Sequence, residues 1–189
     1  MKLLLTSPLP PSVNGYLNYR VARQNGKSGR GLRSFVQAYP SAQTVSYKRF
    51  FTDYVKDQIR EQGWIRPDKG KLVYVRLTFY MDRKRKDPSN FLKVPLDVLT
   101  EAGVYVDDDI ALALTDRVYI DPSNPRIEIE IFESDAIGVF DDEEHLAIFK
   151  SFNCNGCKKD PDRCGIMKKL LDNRISDQVV DGVCLKKKG

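Results

Sequence analysis

Two periods of apolar and polar residues organise this chain. Leu3 to Thr6 is a brief apolar run that predicts a first β-strand, and Pro8, Pro10, Pro11, Asn14 and Gly15 then mark a turn. From Ala42 to Trp64 the period becomes helical. Val45, Phe50, Phe51, Tyr54, Val55 and Ile59 form an apolar stripe, Lys48, Asp53, Lys56 and Arg60 lie elsewhere, and Gly63 and Pro67 end the helix. Leu72 to Met81 is rich in β-branched and aromatic residues and predicts a central strand. Ser89 to Ala102 predicts a second helix, stopped by Gly103. Ala113 to Ile120 and Arg126 to Phe132 predict two more strands, which the loop Asp121 to Pro125 would join as a β-hairpin. Ile127, Ile129 and Ile131 alternate with Glu128 and Glu130, the pattern of a sheet with one face open to water.

The order β-α-β-α-β-β over residues 1–135 contains no repeated βαβ unit. It predicts an α+β fold, a small mixed β-sheet with helices packed on one side. Residues 136–189 read as a short C-terminal extension that contains all the cysteines. Asp141 to Phe149 and Gly165 to Arg174 predict helices within it. Tyr16 to Ser34 carries three glycines among five basic residues and reads as a long basic loop.

Charge changes this picture in one respect. The net charge is only +5 over 189 residues, but it is unevenly spread. Residues 1–52 hold no Asp or Glu, yet they hold Lys2, Arg20, Arg23, Lys27, Arg30, Arg33, Lys48 and Arg49. A basic segment of one sign suits a polyanion, most simply nucleic acid, although it also describes a solvated loop. No apolar run approaches a membrane span, and the run in MKLLLTSPLPPS is too short for an export signal. The expected location is therefore cytoplasmic.

The chemistry concentrates between Lys84 and Asp109. Four basic residues, Arg83 to Lys86, precede Asp87, Asn90, Lys93 and Asp97, and three aspartates follow at 107 to 109. Asn90, Lys93 and Asp97 share one side of a helix, and Pro95 implies that its regular part starts near Val94. A strand–helix–strand hairpin would let Asp87 and Asp108 face one site. Carboxylates that meet repel one another, and a divalent cation relieves that repulsion. Oxygen donors alone point to Mg²⁺ or Mn²⁺. A lysine beside them can neutralise charge developing on a phosphate.

The spacing D-x-x-N-x-x-K-x-x-x-D-x-L followed by an aspartate pair, here Asp87 through Leu99 to Asp107 and Asp108, resembles the RusA family of Holliday junction resolvases. The opening PLPPSVNGY is also similar, and the resemblance covers about residues 1–135. It implies a homodimeric, Mg²⁺-dependent endonuclease that nicks four-way DNA junctions symmetrically, in recombination and repair. Carried over, Asp87 and Asp108 would hold the metal and Lys93 would be the essential cation. Asn90, Asp97 and Asp107 would support them, Asp107 also as a metal ligand. The basic residues Arg20, Arg23, Lys27, Arg30 and Arg33 would embrace the junction. Ser89 departs from the pattern, because well-studied members carry a further aspartate there. Ser89 would be a weaker neutral ligand or a helix cap. The departure leaves a second reading open: a non-catalytic junction-binding module with a degenerate nuclease site.

The cysteines fall outside the resemblance. Cys154, Cys157, Cys164 and Cys184 are spaced C-x2-C-x6-C-x19-C. In a reducing compartment such a set argues against disulfides and suits tetrahedral Zn²⁺. An iron–sulfur cluster and no metal at all remain the other readings, and His145 could replace one ligand. A zinc-bound tail could also recruit a partner protein.

Overall fold

A computed structural model describes residues 1–25, 32–68 and 71–187. The chain divides into two compact units. One comprises residues 1–67 and 73–132, the other residues 68–72 and 133–189.

The first unit is built on a four-stranded sheet in the order β1-β6-β4-β5. The strands are β1 (Lys2–Pro8), β4 (Val73–Met81), β5 (Ala111–Ile120) and β6 (Arg126–Glu133). β1 runs antiparallel to β6, while β4 and β5 are parallel, so the sheet is mixed. On β4 the buried residues are Val73, Val75, Leu77, Phe79 and Met81. Ile127, Ile129 and Ile131 of β6 and Leu3 and Leu5 of β1 face the same core. The opposite face is polar. There Arg76 pairs with Glu130 at 3.0 Å and the Tyr80 hydroxyl donates to Glu128 at 3.0 Å. The period-2 pattern separates core from water, as the expected α+β sheet requires.

The predicted β5–β6 hairpin does not form. β4 lies between these two strands. Leu72 to Met81 is apolar at every second position and partly apolar at the others, so it takes the central place. β5 is half-exposed along its length and is left at the edge.

Helix α2 (Ala42–Glu61) covers the core face. Ser41 caps it by accepting from the Thr44 N–H at 3.2 Å. Its buried stripe is Thr44, Tyr47, Phe51 and Val55. Val45 and Phe50, which the sequence pattern puts on that stripe, are instead more than half exposed. The true stripe is rotated because Thr44 and Tyr47 bury their apolar parts and still satisfy their hydroxyls. Thr44 donates to the Tyr16 carbonyl at 3.1 Å, and Tyr47 meets Ser7 Oγ at 2.7 Å. Helix α3 (Lys93–Ala102) packs beside α2 and buries Val94, Pro95, Val98 and Leu99. A tight 3₁₀ turn, Pro88–Phe91, leads into it. The irregular start that Pro95 implied is therefore present. Gly103 closes α3 in the left-handed region, at φ 84°.

The predicted basic loop is a second correction. After a single helical turn, α1 (Val13–Tyr16), residues Leu17–Asn25 (β2) and Leu32–Pro40 (β3) pair antiparallel as a separate two-stranded ribbon. Alternation from Leu17 to Ala22 and from Phe35 to Tyr39 was enough for strands. The glycines at 26, 29 and 31 obscured it.

The second unit contains α4 (Glu143–Asn153), α5 (Gly165–Leu171) and a small hairpin of β7 (Val179–Val180) and β8 (Val183–Cys184). Asp142 caps α4 by accepting from the His145 N–H at 2.7 Å. Asp181 and Gly182 turn the hairpin with φ of 49° and 76°. Its core is Phe140, Leu146, Phe149, Ile166, Met167 and Leu170.

Candidate active site and cysteine cavity

Asp87 lines a basic cleft. The cleft holds about 530 Å³ and is walled by the proline-rich turn from Leu9 to Gly15 on one side. Arg83, Arg85, Lys86, Asp87 and Asn90 wall the other. Asp87 is the N-cap of the 3₁₀ turn and accepts from the Ser89 N–H at 2.9 Å. The Ser89 hydroxyl, and secondly its N–H, hold the Asp87 carboxyl below the ordinary carboxylate range. Ser89 is thus a donor to Asp87 rather than the helix cap the sequence allowed. Arg85 adopts φ 66°, and Lys86 pairs with Asp82 at 2.6 Å while lying over the Phe91 ring. These contacts fix the basic run against the cleft.

Lys93 and Asp97 lie one turn apart on α3 and pair at 3.3 Å. Asp97 also receives Lys48 of α2 at 3.2 Å and the Tyr16 hydroxyl at 3.3 Å. Lys48 reaches Glu101 as well, at 2.8 Å. Burial opposes the charge on Lys48, but the bonds to Glu101 and Asp97 outweigh it and raise its pKa. Lys48, Glu101 and Tyr16 were missed in sequence. Lys48 and Tyr16 lie too far from Asp97 along the chain for any local spacing to reveal them, and Glu101 enters the site only through Lys48.

Asp107 caps a short 3₁₀ turn, Asp108–Ile110, by accepting from the Asp108 N–H at 2.8 Å. Both carboxylates are exposed. The parallel register sets Ala111 opposite Val73 and Ile120 opposite Met81. Asp87 therefore follows the C-terminal end of β4, while Asp107 and Asp108 precede the N-terminal end of β5. The connection is a parallel crossover and not a hairpin, and the 3₁₀ turn that Asp87 caps lies against β5. Asp108 and Asp97 both lie near enough to Tyr105 to raise its hydroxyl pKa, although burial is the larger cause. Among the described residues, no three His, Cys, Asp or Glu side chains form a group that could hold a metal ion. Mg²⁺ does not require such a group. It keeps several waters and binds through one or two carboxylates plus substrate phosphate. The exposed carboxylate of Asp87, in the lining of the basic cleft, fits it on those terms.

Of the basic residues expected on DNA, Arg20 donates to Gln37 at 3.0 Å and lies over the Tyr39 ring on the ribbon, and Arg23 is exposed there. Arg33 pairs with Gln24 in the strand register. Lys27 and Arg30 lie outside the described residues.

In the second unit all four cysteines are thiols and line one cavity of about 20 Å³, together with Asn153, Lys159 and Lys186. Burial, then the neighbouring Cys164, Cys157 and Cys184, push the Cys154 thiol up. His145 is elsewhere. Its Nδ1 lies 3.5 Å from Asp141, and it meets the edge of Phe140.

An α+β unit that combines exposed aspartates, a face-mounted lysine and a basic cleft is the layout of a nuclease acting on a phosphodiester. The chain belongs to the RusA family: the model of endodeoxyribonuclease RusA matches residues 15–132. It is 30% identical to the crossover junction endodeoxyribonuclease RusA of Shigella sonnei over 105 residues, 55% of this chain and 72% of that protein. The proteins of that name from Escherichia coli K12 and Enterobacteria phage 82 are 29% identical over the same shares. The span matched by the family covers the first unit from residue 15 onward and takes in residues 68–72 of the second. Among the described residues no helix is long and apolar enough to cross a membrane.

Proposed function

We propose that this chain is a structure-selective endodeoxyribonuclease that resolves four-way DNA junctions by paired symmetric nicks, as a Mg²⁺-dependent homodimer. The observation that carries the reading is the set Arg83, Arg85, Lys86, Asp87 and Asn90, which lines the basic cleft and lies inside the span matched by the RusA family. Residues 1–135 would form the nuclease and residues 136–189 an extension outside its chemistry. Two sites related by a two-fold suit a substrate of the same symmetry. Acting on DNA, the protein would work in the cytoplasm.

As the family resemblance implies, Asp87 and Asp108, with Asp107 adjacent to Asp108, would hold the Mg²⁺, which takes its remaining ligands from water and substrate phosphate. When bound, the ion lowers the pKa of a water and offsets phosphate charge. Ser89 keeps Asp87 ionised and oriented. Lys93 neutralises charge on the phosphate in the transition state, and Asp97 positions Lys93 while Lys48 and Tyr16 hold Asp97. Asn90 orients the phosphate or the attacking water from the cleft wall. Arg83, Arg85 and Lys86 receive the backbone, and Arg20 and Arg23 on the ribbon extend that surface. Attack at phosphorus with loss of the 3′-oxygen leaves a 5′-phosphate and a 3′-hydroxyl.

The test is a synthetic four-way junction incubated with the full chain and Mg²⁺. Paired nicks, absent in Asp108→Asn, are expected. Full activity in Asp87→Asn or Lys93→Ala would remove these residues from the site. A second reading, binding without cleavage, draws on Ser89 standing where the family resemblance implies a carboxylate. It predicts salt-sensitive junction binding and no nicks at any metal concentration.

A further inference from the structure

The four cysteines belong to a part of the molecule that the nuclease reading does not use. We infer that the second unit carries a structural zinc site, with Cys154, Cys157, Cys164 and Cys184 as its four ligands, and that this ion is a main stabilising element of that unit.

Convergence is the first argument. The four residues span 31 positions of sequence, yet all four line one cavity. Cys154 ends α4 and begins a tight turn in which the Cys157 N–H donates to the Cys154 carbonyl at 3.0 Å. Gly156 takes φ 72° within that turn, a conformation that lets two thiols three positions apart face the same side. Cys164 precedes α5 and its carbonyl receives the Lys168 N–H at 3.0 Å. Cys184 sits on β8 and is held by Asn153, a buried side chain. Asn153 Oδ1 accepts from the Cys184 N–H at 2.8 Å, and its Nδ2 donates to the Gly182 carbonyl at 2.9 Å. A fully used buried amide thus fixes the last cysteine against the helix that bears the first.

The second argument is size and chemistry. A cavity of about 20 Å³ admits one water-sized species. That suits a single ion. Four thiolates select a soft or borderline tetrahedral metal over Mg²⁺. Zinc with four thiolates bears a net charge of about −2. Lys159 and Lys186 line the same cavity and oppose that charge.

The third argument is the modest core. Six buried apolar residues are few for a unit of this length, and units of that kind commonly depend on a staple. Cys154, Cys164 and Cys184 pack against that core, so an ion there ties α4, α5 and the β7–β8 hairpin together. Among the described residues the four side chains are not drawn together into a closed coordination group. Loading would release a proton from each cysteine as Zn²⁺ enters.

The test is metal analysis of the full chain, purified without affinity for metal resins. About one zinc per chain is expected, with Co²⁺ substitution giving a thiolate-to-metal charge-transfer band. Cys164→Ser and Cys184→Ser should each lose most of the zinc. If a variant fails to fold, the wild type stripped by chelator and refilled supplies the same measurement: proteolysis within residues 133–189 should rise about 10-fold or more on stripping and reverse on refilling. Purified chain without zinc that also gives no Co²⁺ band overturns the site. A brown protein with iron and sulfide overturns the choice of metal. Neither readout depends on junction cleavage, so failure of the nuclease reading leaves it unaffected.

Discussion

At the scale of single residues, the site depends on what holds each carboxylate. Asp87 is kept ionised by two donations from Ser89, and Asp97 is held in place by Lys48, Lys93 and Tyr16. Ser89→Asp would supply the carboxylate that the family resemblance implies at this position and remove a donor from Asp87. The gain in metal ligation should dominate, and the Mg²⁺ concentration for half-maximal cleavage should fall about 10-fold. Titration of cleavage against Mg²⁺ reads this directly, and an unchanged midpoint would show that position 89 does not face the ion. Lys93→Ala should lower the cleavage rate about 100-fold or more at saturating junction, with binding little changed. Lys48 offers a pH signature. Its pKa is raised in the folded state, so its contribution to stability is complete below the unfolded lysine pKa and fades as pH rises through the folded value. The loss of thermal stability at strongly alkaline pH should therefore be smaller in Lys48→Met than in the wild type, measured as Tm against pH.

At the scale of elements, burial decides what substitution costs. Phe51 on α2 is fully buried, and Phe51→Ala should cost about 3–5 kcal/mol. Phe50, its neighbour in sequence, is half exposed, and Phe50→Lys should stay within about 0.5 kcal/mol of the wild type. Chemical denaturation of both variants separates the observed stripe from the one the sequence pattern suggests. In the second unit, Gly138 has φ 59° and a Cβ there would stand 2.1 Å from the Leu170 carbonyl oxygen. Gly138→Ala should destabilise that unit by about 2 kcal/mol or more through backbone strain and a clash that no rotamer relieves. The β2–β3 ribbon shows why elements can hide. Its alternation is short, its aromatic and aliphatic side chains are largely exposed, and glycines interrupt it, so a loop was the more economical reading.

At the scale of the whole molecule, basic charge collects in the N-terminal third and around Asp87. Junction binding should fall steeply with salt. Removing Arg20 and Arg23 together should flatten the slope of log affinity against log salt by about 1 for each phosphate no longer neutralised. A slope equal to the wild type would place the ribbon off the DNA.

The sequence alone determined the α+β class, the strand and helix positions from Leu72 to Ala102, the acidic and basic composition of the site, and the family. These follow from local periodicity and from spacing along one helix or turn, which neighbours in sequence control. Only the tertiary structure decided that β4 stands between β5 and β6, that Asp87 and Asp108 flank a parallel crossover, and that Lys48 and Tyr16 hold Asp97. It also decided that four cysteines spread over the extension line one cavity. Each of those depends on which distant surfaces bury each other, and that competition among apolar strands and helices leaves no local mark in the chain. The lysines, aspartates and cysteines were legible as chemistry, and their partners became visible once the core had set the distances.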